Sequence, residues 1–136
     1  MRDVIFRGKR LDNGEWIEGY LIRARDYLTH IGQTAIVDLD AEFFPGNEIA
    51  GYELVDFRTV GQFTDKHDKH GTKIFEGDVV QAEMDYGPAG MYKTNARIWW
   101  NSDYGWQWEY FDMDTIEVIG NIYDNPDIEL GLVEEV

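Results

Sequence analysis

At 136 residues the chain is about one domain long, and 43% apolar with 15% aromatic residues gives it the material of a packed core, which argues against a disordered polypeptide. Cysteine is absent, and with it disulfide scaffolds, thiolate zinc sites and cysteine nucleophiles. The net charge is −15 and unevenly spread: residues 1–30 carry six Lys/Arg against five Asp/Glu, and residues 91–136 carry two against ten.

Neutralising phosphates takes clustered Lys and Arg, so direct nucleic-acid binding is not expected unless the N-terminal basic residues form a patch of their own. An acidic field favours partners with a basic surface, and it also serves solubility alone. No apolar run approaches the roughly 18 residues of a membrane helix. The start, Met1 to Arg7, turns charged again at once and lacks a signal peptide's apolar stretch. A cytoplasmic protein with no membrane contact is expected.

The elements read as β throughout. Residues 4–10 and 16–23 flank Asp12-Asn13-Gly14, and Asn-Gly between β-prone runs predicts a hairpin, since both residues tolerate the positive φ of a tight turn. Ala35 to Leu39 predicts a short strand, and residues 40–50, with Pro45 and Gly46, a connection with room for one helical turn. Tyr52–Val55 and Thr59–Thr64 return to strand. The polar run Asp65 to Thr72 predicts a turn, in which Gly71 supplies a left-handed residue. Gly77-Asp78 then opens the β-branched run to Met84, the glycine permitting a tight backbone and the Asp bonding back to turn amides. Tyr86 to Gly90 is a turn. Arg97 to Trp100 is β-prone, Asn101 to Asp103 turns the chain, and Tyr104 to Tyr110 alternates so that Trp106, Trp108 and Tyr110 share one strand face. Ile116 to Tyr123 is the last predicted strand, and residues 128–136 read as a short helix or a frayed tail. Many short strands at this spacing predict an all-β fold, a small barrel or sandwich.

Three blocks carry a family resemblance. They are Phe6-Arg7-Gly8-Lys9-Arg10 with Gly14-Glu15-Trp16; Thr59-Val60-Gly61-Gln62-Phe63-Thr64 through Ile74-Phe75-Glu76-Gly77-Asp78-Val79-Val80; and Ile116 to Tyr123 before Asn125-Pro126. In that order they resemble the YopX family, small proteins of bacteriophages and prophages. Where the family commonly has Asn before the turn glycine, this chain has His70. The resemblance implies a small, bent, SH3-like barrel preceded by an N-terminal hairpin region. It implies one domain over 1–136, with a β region at 1–58, a barrel-like core at 59–123 and a tail at 124–136. Gly61, Gly71, Gly77, Asp78 and Gly120 are its structural motif residues. It brings no activity and no cofactor with it.

Among chemistry-bearing clusters, Asp65, His67, Asp68 and His70 combine carboxylate and imidazole, the residue types of a metal site or a metal-dependent hydrolase. Lys66 and Lys69 put repelling charge among them, and a solvated hairpin tip explains the run as well. The single serine, Ser102, has no nucleophile-elbow setting. Trp99 and Trp100 must face opposite ways if both lie in a regular strand, which leaves one of them an exposed anchor. The reading that leads is a non-catalytic phage accessory module. It binds a host or phage protein through Trp99, Trp100, Asp103 and Tyr104. An acidic mimic of nucleic-acid charge, with Asp112 and Asp114 starting a strand row, is the alternative from another class, and strand edges leave a homo-oligomer open.

Overall fold

The computed structural model describes residues 4–25, 28–29, 32–42 and 51–136, and the chain divides into two compact units, Met1–Phe63 and Thr64–Val136. Nearly all regular structure is β, in two antiparallel sheets. No described helix is long and apolar enough to cross a membrane.

The first unit starts with the expected hairpin, β1 (Phe6–Arg10) and β2 (Trp16–Arg25), in which Gly14 takes a φ of 72°. β3 (Gly32–Asp38) runs antiparallel to β2, and β4 (Tyr52–His67) pairs with both β3 and β1. The β1–β4 pairing curls the sheet back on itself. Ile36 is fully buried beside Ala35, Val37 and Val55. This small core closes because two strand positions lack a side chain. A Cβ on Gly8 would stand 3.2 Å from Val55, and one on Gly19 only 1.8 Å from the backbone oxygen of Val37. Between the two runs read as strand in β4, the register shifts against β1. Thr59 fills the gap, its hydroxyl accepting from the Lys9 N–H at 2.8 Å and donating to the Asp56 carbonyl at 2.7 Å. Of the connection expected over residues 40–50, with its helical turn, residues 43–50 lie outside the described residues.

β4 continues past Thr64 into the second unit, where β5 (Lys73–Phe75) joins it. β6 (Asp78–Asp85), β7 (Met91–Arg97), β8 (Glu117–Asn121) and β9 (Gly131–Glu135) form a sheet in the order β8-β6-β7-β9. Ile74, Val80, Ala82, Ile98, Phe111 and Ile116 make its core, with Trp106, Trp108 and Met113 packed against it. The Gly77-Asp78 turn forms as read: Gly77 has a φ of 92°, and Asp78 Oδ2 accepts the Phe75 N–H at 2.8 Å.

Two expectations fail. Residues 128–136 are neither helix nor frayed, because β9 pairs with β7, and the Asn95 side chain ties down the Glu129 carbonyl at 3.1 Å. Residues 104–110 are not a strand. Asn101 and Gly105 exchange backbone hydrogen bonds, Gly105 takes a φ of 72°, and Trp108–Tyr110 is a single 3-10 turn. Alternation was a weak signal here because rings spaced by two also reach a core from a folded-back loop.

Gly19→Ala is expected to cost at least about 3 kcal/mol, since the obstacle is backbone rather than a movable side chain. Gly32→Ala meets no atom within 4 Å and is expected within about 0.5 kcal/mol of wild type. Urea titration of both variants checks the pair; equal stabilities would contradict the close β2–β3 approach.

Candidate functional site

The polar run 65–72 is a built turn around one carboxylate. β4 runs on to His67, and Asp68 follows it into the interior, where it is only 7% exposed. Its Oδ1 accepts the N–H groups of His70 and Thr72, each at 2.9 Å, and its Oδ2 accepts that of Val118 in β8 at 2.9 Å. The backbone repeats the link, Lys69 N–H donating to the Ile116 carbonyl at 2.9 Å. Burial pushes the Asp68 carboxyl up, but the amides of Val118, Thr72 and His70, with the His70 charge, outweigh it and hold the group below its ordinary value. Gly71 closes the turn at a φ of 82°.

That use of Asp68 sets it apart from the other three metal-ligand candidates. Both its oxygens are committed to backbone donors, Asp65 and His67 are exposed on β4, and His70 Nε2 lies 3.5 Å from Glu117 instead. Among the described residues no three His, Asp or Glu side chains converge on a common point. The same turn chemistry removes the acidic row. Asp112 Oδ1 accepts the Asp114 N–H, and the Asp112 carbonyl accepts both the N–H and the hydroxyl of Thr115, so the two acids sit in a turn and not at alternate strand positions.

The aromatic segment is held just as firmly. β7 ends at Arg97, so Trp99 and Trp100 are freed from strand alternation and both stand out, 45% and 53% exposed. Tyr104 is 79% exposed at the tip. Asn101 Oδ1 accepts the N–H groups of Asp103 and Tyr104, and the Asn101–Gly105 pair closes the loop beneath them. The Trp100 ring meets Trp106 edge-on at 5.1 Å between centroids and lies over Gly105, where a Cβ would come to 3.3 Å. Trp106 and Trp108 then carry the contact inward to Phe111. The four predicted residues Trp99, Trp100, Asp103 and Tyr104 are thus neighbours on one fixed loop. Of the motif residues, buried Gly61 pairs with Arg7, Gly77 packs against Tyr123 and Gly120 against Asn125.

Sequence reasoning missed two groups beside this loop. Gln107 donates from Nε2 to the Arg97 carbonyl at 2.7 Å, and Leu130 lines an open groove with Trp99, Met84 and Phe111. The run Leu130-Gly131-Leu132-Val133, read above as part of a helix or frayed tail, is the β-prone signal that could have found the second.

Comparison with known proteins agrees with the β-rich architecture. The family model described as YopX protein matches residues 5–128. A crystal structure of protein EF1440 from Enterococcus faecalis is similar at 26% identity and a TM-score of 0.55, over 93% of this chain and 98% of that one. No curated protein matches the chain.

Asp68→Asn puts an amide NH2 where an acceptor is needed, and is expected to cost about 1–3 kcal/mol at pH 7. Because the folded carboxyl sits below the unfolded value of about 3.9, its contribution is complete above that value and is lost as pH falls through the folded one. Thermal melts from pH 7 to pH 3 should show wild type approaching the variant; a gap that does not change with pH would contradict the assignment.

Proposed function

The chain belongs to the YopX family, and from that premise we propose that it is a non-catalytic phage or prophage accessory module that binds a basic surface of a host or phage protein in the bacterial cytoplasm. The observation that carries this reading is the loop with Trp99, Trp100 and Tyr104 exposed on a backbone already closed by Asn101 and Gly105. Tryptophan and tyrosine dominate protein-binding hot spots, and each offers a large contact area for few rotatable bonds. A loop held in place before the encounter loses little entropy on binding, so more of the contact energy appears as affinity.

Charge supports the choice of partner. The unit Thr64–Val136 carries five Lys/Arg against sixteen Asp/Glu, a net of −11, and Asp103, Glu109 and Asp112 are exposed in the aromatic segment itself. Such a field speeds encounter with a basic surface and repels acidic competitors, nucleic acid included.

The test is a tagged capture from host lysate at low and moderate salt, with wild type beside a Trp99→Ala/Tyr104→Ala double variant. Wild type is expected to retain one stoichiometric partner that weakens as salt rises. The double variant is expected to melt near wild type and to lose at least about tenfold in affinity for it. A folded double variant with unchanged affinity would overturn the loop as the contact.

A further inference from the structure

β9 is an outer strand of its sheet: β7 pairs with one side, and among the described residues no strand pairs with the other. An edge strand offers unpaired N–H and C=O groups to any extended chain that approaches it. Leu132 pairs with buried Thr94 and so lies on the apolar side of the sheet, yet it is 59% exposed. Leu130, 56% exposed, borders the groove of about 450 Å³ lined by Met84, Trp99 and Phe111. The aromatic segment covers the core beside β6 and β7 and leaves these two leucines bare.

The charges beside them are mostly negative, with Arg97 in the groove lining and Lys93 on the neighbouring strand as the cations. Asp127, Glu129 and Glu135 have no ion-pair partner among the described residues, and Glu134 shares Lys93 at 3.0 Å. We propose that β9 is a strand-addition site for an extended segment of a partner protein that alternates apolar residues with Lys or Arg. Its backbone would pair with the free edge, an apolar side chain would enter the groove between Leu130 and Trp99, and its cations would meet the carboxylates. Like charge disfavours a second copy of this chain, which would bring the same acids against themselves. The register shift at Val133 adds to that, since a bulge twists an edge away from an identical flat edge. The proposal rests on the protein-binding reading above and specifies its mode.

The probe is a soluble eight-residue peptide alternating valine and lysine, titrated into the full chain and followed by amide NMR and hydrogen exchange. Binding should shift and protect amides of Gly131–Glu135 and perturb the Trp99 ring. The same peptide N-methylated at every residue keeps its charge and side chains but loses the donors of both strand edges, and should bind at least about tenfold more weakly. Leu130→Ser should weaken the unmethylated peptide without moving the melting temperature. Equal binding of both peptides, or shifts confined to other carboxylates, would overturn strand addition, as would a concentration-dependent dimer that protects β9 without peptide. If the peptide fails while the lysate partner still depends on Trp99 and Tyr104, strand addition falls and the aromatic contact stands.

Discussion

A carboxylate taken out of water must find hydrogen-bond donors, and in this chain Asp68 and Asp78 find them in the backbone. Asp68 binds its own turn and the neighbouring strand β8 with three bonds, so the turn after β4 cannot move without releasing β8. Asp78 does the same on a smaller scale, pinning the Phe75 amide where β5 turns into β6. Between these two anchors sit Ile74 and Phe75, both buried. The second unit therefore gains part of its order from charge placed where few neutral side chains would serve.

The aromatic loop depends on that order. Its inner rings, Trp106 and Trp108, pack on the core that the two anchors frame, and Trp100 leans on Trp106. Trp99 and Tyr104 then project from a platform rather than from a free loop. On the proposed reading, a cluster of rings on an acidic surface would join two kinds of contact, apolar area for affinity and charge for choice of partner.

Much of this was legible in the residues. Asn13-Gly14 gave the first hairpin, and Gly77-Asp78 gave both the left-handed turn and the carboxylate that binds back to it. The two strand runs read on either side of Asp56–Arg58 are one strand, and the break between them is a register shift that Thr59 fills. What escaped was set by tertiary contacts. Asp68 looked like one of four metal-ligand candidates because sequence shows residue types and not where their oxygens point. Trp106, Trp108 and Tyr110 looked like a strand face because a two-residue spacing does not distinguish an extended chain from one folded back by Asn101 and Gly105. β9 was read as helix or frayed tail because its β-prone run is short and its pairing with β7 comes from across the sheet.

The most direct measurement is in-cell photo-crosslinking from a reactive residue at position 104, compared with one at position 57, where Phe57 is similarly exposed in the first unit. The account predicts a single crosslinked protein species from position 104 and none of that mass from position 57. No crosslink at 104, or the same species from both positions, would contradict the claim that the fixed aromatic loop is the contact surface.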